Sequence, residues 1–441
     1  MDTLCIDFGT SSIRAAIRKQ KDSISHPLAI APRSQIDNAS IPSAIFIPIA
    51  GDKILFGDKA LEAGLSAEPR LLFESSPKSW LSPSNISQVY QPAVSSAPFS
   101  RFQLIAGLLA LAVKDSEVAG KNILNLKTSN LSYRISHPVW STSDRQRIAD
   151  VYDQLSQIAF KDTGSAITHE MGFSQFNLWY KKVIQASKKL SIDIEVEEPI
   201  AAALELLPDP LPNKRSATLV VDVGAGTIDL GLFVSVLPDE NSRVTRKLIP
   251  MTPARSLFGA GDVIDDALIK LVAERLKPNS GIELAVLKND IRRFKETLFD
   301  TGNLVFSNIQ ISREELVHTD ALQKMASGLK TAISEMLGDA GSRFKEQLHA
   351  SFHGIAHLDV VFAGGGANLR FLREVIGSIV AMGDTKLTSS QTDVTTPRGF
   401  EVDASRARMA VALGGTTPAA DWPKTEMQQP IIRSLSTRTQ S

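Results

Sequence analysis

The 441-residue chain has a single cysteine, Cys5, so no internal disulfide can form. A lone thiol inside an apolar stretch fits a reducing compartment and an inert, buried side chain. Charge of one sign is not in excess either. Lys+Arg and Asp+Glu both number 48, so no overall field draws in nucleic acid or an anionic membrane. Short basic clusters such as Lys181-Lys182 and Lys188-Lys189 read as solvated helix faces. No apolar run approaches the ~20 residues that cross a bilayer. The N-terminus leads directly into a strand, with no secretory leader pattern. Several signatures of chemistry are missing too. There is no G-x-x-x-x-G-K-[ST] and no G-x-G-x-x-G, which excludes a P-loop and argues against a dinucleotide Rossmann site. G-x-S-x-G is absent and Cys5 lies in a strand, which leaves nucleophilic acyl chemistry unsupported. His349, His353 and His357 recur every four residues, but Gly354 and a following strand interrupt the helix that a zinc site would need. The expectation is a cytoplasmic protein, monomeric in isolation, that binds neither nucleic acid nor membrane.

What the chain does have is a repeated Gly-rich corner. Residues 219–233 read L-V-V-D-V-G-A-G-T-I-D-L-G-L-F. An apolar run ends in Asp222, the corner holds Gly224, Ala225 and Gly226, and a second run starts at Thr227 and carries Asp229. This pattern predicts two antiparallel strands joined by a tight turn. Glycine lets a turn backbone approach a ligand closely, and successive amides aimed into one concavity make a nest for an anion. Carboxylates beside such a nest repel phosphate unless a cation lies between, so Asp222 and Asp229 suggest Mg²⁺ with its waters. An ordinary hairpin would share the pattern, but the pattern occurs twice. Residues 4–17 read L-C-I-D-F-G-T-S-S-I-R-A-A-I, with Asp7, Gly9, Thr10 and Ser11 in the corresponding places. Copies about half a chain apart suggest two similar lobes facing across a cleft rather than a short-period array. Two phosphate hairpins on opposite walls would clamp a nucleotide polyphosphate.

Elsewhere, strands are expected at 43–49, 53–57, 131–139 and 192–196, and helices at 58–65, 102–114, 143–159 and 200–207. Residues 74–91 read as loop, with Lys78 beside a Pro-stiffened corner, and 160–190 as an aromatic, basic segment helical in its second half. The three prolines of 208–215 mark a lobe boundary. Beyond it, Gly259-Ala260-Gly261-Asp262 precedes a helix at 263–276 whose N-terminus could take a ligand. Single helices are expected over 282–298 and 312–338, and a single strand over 304–311. A strand at 358–362 runs into Gly364-Gly365-Gly366 and a helix at 369–380, then comes a helix at 404–414. The tail at 416–441 is read as disordered.

These residues carry a resemblance. Asp7-Phe8-Gly9-Thr10-Ser11 resembles the first phosphate motif of the superfamily of actin, sugar kinases and DnaK-type (seventy-kilodalton) heat-shock chaperones, and residues 222–229 resemble its second. Residues 361–368, V-F-A-G-G-G-A-N, resemble its adenosine motif. Glu198-Pro199-Ile200-Ala201-Ala202-Ala203, Ile41-Pro42-Ser43 and Gly57-Asp58-Lys59-Ala60 are similar to elements of the chaperone branch. The resemblance spans about residues 1–415. It implies an α/β, two-lobed actin-like ATPase fold, with duplicated ribonuclease H-like domains around a central nucleotide cleft. Lobe I would be 1–210 with an inserted subdomain at about 38–100. Lobe II would be 211–415 with an insert at about 258–330 and a return helix to lobe I.

The implied cofactors are ATP/ADP and Mg²⁺. Asp7 and Asp222 align with carboxylates that hold the metal through water, and Glu198 with them in positioning the attacking water. Lys78 aligns with the catalytic lysine at the γ-phosphate. Thr10, Ser11 and Thr227 align with hydroxyls at the phosphates, Thr227 orienting the nucleophile, and Gly9, Gly224, Ala225 and Gly226 with the phosphate-loop backbone. Gly259, Ala260, Gly261, Asp262, Lys295, Gly364, Gly365 and Gly366 align with the nucleoside pocket, and Pro138 with a proline of the conformational switch. The chain departs from the family at the adenine-side helix, with Arg292 for Glu, Glu296 for Arg and Phe299 for Ser. Residues 160–190 have no counterpart, and the chain stops where the chaperones' linker and peptide-binding domain begin. The implied function is an ATP-hydrolysing switch that couples lobe closure to a protein partner, such as a co-chaperone or exchange factor. The alternatives are a nucleotide-binding regulatory module without hydrolysis and an actin-like filament protein.

Overall fold

The computed structural model describes residues 1–22, 24–30, 39–66, 69–81, 84–95, 97–125, 131–139, 145–161, 167–186, 192–207, 215–236, 247–277, 281–348, 356–367, 369–376, 379–382, 385–391, 405–418, 421–423 and 431–434. The fold is mixed α/β. Contacts divide the chain into two units, Met1–Ala201 with Met409–Thr417, and Ala202–Arg408 with Pro418–Ser441. The division falls inside the helix Glu198–Leu206. The proline-rich stretch 208–214 lies outside the described residues.

The first unit is built on the strand Asp2–Phe8, whose Leu4, Cys5, Ile6 and Phe8 are all fully buried. Such a continuous apolar run belongs to a strand covered on both faces. It pairs antiparallel with Ser12–Arg18 and parallel with Leu131–His137, which pairs parallel with Ile192–Glu197. The helix Arg101–Leu124 packs beneath, opened by a capping box in which Ser100 and Gln103 satisfy each other's amides. At the far end of the chain, Met409, Ala412 and Leu413 of the helix Ser405–Gly415 pack on Ala16.

A second, four-stranded sheet of this unit runs Glu170–Gly172, Lys53–Phe56, Ile45–Pro48, Arg70–Glu74. Its first strand and the helix Phe173–Gln185 come from the segment read as helical only in its second half. Phe173 and Phe176 of that helix reach Phe99 at ring distances of 5.2 and 5.7 Å, and Phe176 also meets Phe56. The described part of the unassigned segment therefore contributes to the core.

The second unit repeats the pairing order of the first. Arg215–Val223 pairs antiparallel with Thr227–Val236 and parallel with Ala356–Ala363, which pairs parallel with Thr385–Gln391. On the other side Thr227–Val236 pairs antiparallel with Arg255–Phe258. Ala260–Ala273 and the helical stretch Asp320–Leu348, which breaks at Gly341 (φ 38°), cover the sheet with Ile264, Leu268, Leu329 and Met336.

Several expected elements take a different form. The strand expected over 304–311 is a hairpin, Asn303–Phe306 and Ile309–Ser312, because Ser307 and Asn308 both have positive φ, 46° and 66°. Two left-handed central residues make the turn that matches strand twist. The helix expected over 282–298 is two, Gly281–Asn289 and Ile291–Thr301, separated at Asp290. The one expected over 312–338 is also two, Arg313–Val317 and Asp320–Leu348. The helix read at 369–380 ends at Val375, and Ile379–Met382 is a strand, as its β-branched residues favour. In the tail read as disordered, Ile431–Ser434 pairs parallel with Arg255–Phe258. His349 and His353 lie outside the described residues. No helix among the described residues is long and apolar enough to cross a membrane.

Candidate functional site

In each unit the predicted site residues gather where parallel strands end, the edge at which open α/β sheets bind ligands. In the first unit Asp7 sits one residue from the end of its strand, 6% exposed, and its Oδ1 accepts a hydrogen bond from Ser136 Oγ at 3.0 Å. Gly9, Thr10 and Ser11 form the turn that follows. A Cβ on Gly9 would meet Ser12 O at 2.5 Å, so only glycine permits this corner. Ser43 fastens the turn from outside: its hydroxyl donates to Gly9 O at 2.8 Å and its amide to Ser11 O at 3.0 Å.

Lys78 lies on a short 3₁₀ turn, Pro77–Leu81, and Glu198 opens the helix Glu198–Leu206. Lys78 Nζ and Glu198 Oε1 are 2.6 Å apart, with side chains only 10% and 8% exposed. Burial works against the Lys78 charge, but Glu198 foremost, and Asp7, outweigh it and hold the ammonium above the ordinary lysine range. Burial pushes the Asp7 carboxyl up from its ordinary 3.8, opposed by Arg14, Lys78 and the Ser136 hydroxyl. The fully buried Tyr152 phenol is part of the same charge cluster. Burial raises its pKa against the pull of Lys78. Three carriers of charge from distant parts of the chain thus meet in one desolvated place, where fixed charges act far more strongly than in water.

In the second unit Asp222 and Asp229 face each other across the hairpin ladder, 6% and 1% exposed. Thr227 Oγ1 donates to Asp229 Oδ2 at 2.8 Å. The turn of Gly224, Ala225 and Gly226 is closed by Gly224 N donating to Thr227 O at 2.8 Å. Around it lie the start of the helix Ala260–Ala273 and the triple-Gly loop. The amides of Gly259, Gly261 and Asp262 donate to the carbonyls of Gly226, Gly224 and Ala225 at 2.7, 3.3 and 2.8 Å. This helix start therefore braces the hairpin turn with three of its four otherwise orphan first-turn or cap amides. Ala260 itself is fully buried.

Gly366 N donates to Val223 O at 2.9 Å. Gly364 has φ 80°, and a Cβ there would lie 2.4 Å from Asp222 Oδ1, so the loop backbone can press against the carboxylate only as glycine. Gly365 has open space beside it. Lys295 Nζ lies 2.7 Å from Asp265 Oδ1 and 3.5 Å from Gly261 O, which links the helix Ile291–Thr301 to the hairpin brace. Phe299 stacks on Phe371 at 5.8 Å. Glu296 pairs with Arg292 at 3.2 Å and lies 3.9 Å from Arg408.

The donor set suits a hydrated cation. Among the described residues no cluster of three or more His, Cys, Asp or Glu could cage a metal. Mg²⁺ by contrast keeps several waters and takes one or two carboxylates with phosphate oxygens, and the opposed pair Asp222 and Asp229 would supply such carboxylates. Asp7, Lys78 and Glu198 come together in the first unit. Asp222, Thr227, Gly224–Gly226, Gly259–Asp262, Lys295 and Gly364–Gly366 surround the second hairpin. Arg14, Ser136 and Tyr152 join the first cluster without having been anticipated. Only Arg14 leaves a trace in the sequence, as a lone charge in an otherwise apolar strand interior.

No family model matches the chain. Over 235 residues, 51% of its length, it is 23% identical to "Chaperone protein DnaK" of Stenotrophomonas maltophilia (strain R551-3), and the match covers 36% of that protein. The chain is thus distantly similar, over half its length, to a DnaK-type chaperone.

Proposed function

We propose that the chain is a DnaK-like, ATP-binding protein of two-lobed, actin-like architecture, its duplicated ribonuclease H-like halves each offering a phosphate hairpin to one nucleotide. The observation that carries this reading is the desolvated cluster of Asp7, Lys78 and Glu198 behind the first hairpin. It is supported by the equivalent hairpin of the second unit with its carboxylate pair. Bound Mg²⁺ would neutralise charge developing on the phosphates, with Asp7 and Asp222 holding its waters. Glu198 would orient the attacking water and Thr227 the nucleophile's approach, while Lys78 contacts the transferred phosphoryl group. Catalysis of such an in-line displacement is mostly positioning and charge stabilisation. Hydrolysis would then set lobe closure, which a protein partner reads.

Lys78→Ala and Thr227→Ala should leave ATP binding within a few-fold of wild type and lower turnover by about 10²-fold or more, the scale of losing one oriented electrostatic group. Phosphate release under single-turnover conditions measures this, with equilibrium binding as the control. A second reading, a nucleotide-binding regulatory module without hydrolysis, is favoured by one contact. Lys78 is closed onto Glu198 at 2.6 Å, so a carboxylate already engages the ammonium that hydrolysis would need at the phosphate. If wild-type protein binds Mg·ATP yet releases no more phosphate than Lys78→Ala, the regulatory reading replaces the enzymatic one.

A further inference from the structure

The two hairpins share a pattern of strand, turn and strand but carry opposite charge at one equivalent position. In each, the residue seven places after the first aspartate lies directly across the ladder from it. That residue is Arg14 opposite Asp7 in the first and Asp229 opposite Asp222 in the second. Directly opposed residues of an antiparallel pair project from the same face with Cβ atoms about 4.5–5.5 Å apart. All four side chains are buried, none more than 7% exposed. The second hairpin therefore sets two carboxylates directly opposite each other. The first carries a cation of its own.

Arg14 stands directly across the ladder from Asp7, and with Lys78 it opposes the effect of burial on that carboxyl. Lys78, moreover, is committed to Glu198 at 2.6 Å. Glu198 is bonded to Lys78, while Asp7 faces Arg14 across the ladder and also feels the Lys78 charge. On its own face of the strand Arg14 lies between the buried Ser12 and Ala16, and a buried guanidinium is costly unless it is paired and hydrogen-bonded. A guanidinium also matches phosphate oxygens in geometry, with two parallel N–H donors and a fixed charge.

We propose that Arg14 is the resident counter-charge of the first hairpin, holding the Asp7 carboxylate and accepting a nucleotide phosphate in the role a divalent cation plays elsewhere. This rests on the nucleotide-binding reading above. Its consequence is that affinity for nucleotide depends only weakly on Mg²⁺ as long as Arg14 is present.

The test is equilibrium binding of ADP to the full chain, in excess Mg²⁺ and in EDTA, for wild type, Arg14→Lys and Arg14→Met. Wild type should lose no more than about tenfold in affinity on metal removal, and Arg14→Met a further ten- to hundredfold, the worth of a charge-assisted hydrogen bond. Arg14→Lys should fall between them, because it keeps the charge and loses the fork. A merely structural arginine would weaken binding equally with and without metal. That result, or a wild-type affinity that itself collapses in EDTA, overturns the proposal while leaving the nucleotide reading in place. The wild-type measurement decides even if Arg14→Met does not fold. Absence of ADP and ATP binding to wild type in excess Mg²⁺ would remove both.

Discussion

Lys78 and Glu198 are each about nine-tenths buried and 2.6 Å apart. Such a pair is weak support for stability, since desolvation consumes most of the attraction, but removing one partner strands the other charge in the core. Lys78→Met should therefore destabilise the first unit by about 3–5 kcal/mol, and adding Glu198→Gln should recover most of that loss. Urea unfolding of the single and double variants measures it; equal losses in both would mean that Lys78 stabilises by packing alone. The residues of this pair are legible in the sequence only through their neighbours: Lys78 by its Pro-stiffened corner, Glu198 by the acidic-Pro-Ala run. Their contact is not legible, because it joins positions 120 residues apart. Ser136 reaches Asp7 across 129 residues, and nothing local in either segment announces the meeting. Arg14 was open to discovery, since a charge within a buried strand needs a reason.

Among the elements, the strand Glu170–Gly172 and helix Phe173–Gln185 show most clearly how an added segment is attached. Phe56 N donates to His169 O at 2.9 Å, and His169 Nε2 lies 3.2 Å from Asp115 Oδ2 on the long helix Arg101–Leu124. The bond to Asp115 raises the His169 pKa above its ordinary 6.5, with burial opposing and the charges of Asp115 and Asp58 assisting. A histidine whose pKa is raised by folding stabilises fully below its unfolded value and loses that contribution as pH climbs through the folded one. The stability difference between wild type and His169→Asn should then be largest near pH 6 and shrink as the pH rises above 6.5. Amide exchange across Glu170–Gly172 between pH 6 and 9, corrected for intrinsic rates, reads this directly; a difference that does not change with pH would mean that folding leaves the His169 pKa at its unfolded value. Alternating or continuous apolar runs made the main strands readable, as at Asp2–Phe8 and Arg215–Val223. The failures were at breaks. Ser307-Asn308 turns a strand into a hairpin and Asp290 divides a helix, each through one or two residues of unusual φ/ψ that periodicity does not register. The pairing of Glu170–Gly172 with Lys53–Phe56 was unreadable for a different reason: a three-residue edge strand is specified by the partner it meets, not by its own pattern.

At the scale of the molecule, the notable fact is that two units repeat one pairing order, a hairpin with two parallel strands on one side and two short antiparallel strands on the other. The duplication was visible in the sequence as two Gly-rich corners. The equivalence of the flanking strands was not, because those strands share no motif and differ in the lengths of their connections. The hairpins are not interchangeable. One is a carboxylate facing a guanidinium, the other a carboxylate facing a carboxylate, so under the proposed nucleotide reading the two would respond differently to removal of the metal. Hydrogen exchange of the full chain makes the joint use of both hairpins testable. With saturating Mg·ATP, protection should rise at both 4–17 and 219–233, since closure on one ligand reduces local opening at each contact. With ATP in EDTA, protection at 4–17 should persist while that at 219–233 falls back toward the free protein. Protection confined to one hairpin in the presence of Mg²⁺ would rule out the clamp and leave a single-sided phosphate site. Equal loss at both hairpins in EDTA would mean that the metal, rather than Arg14, supplies the counter-charge on both sides.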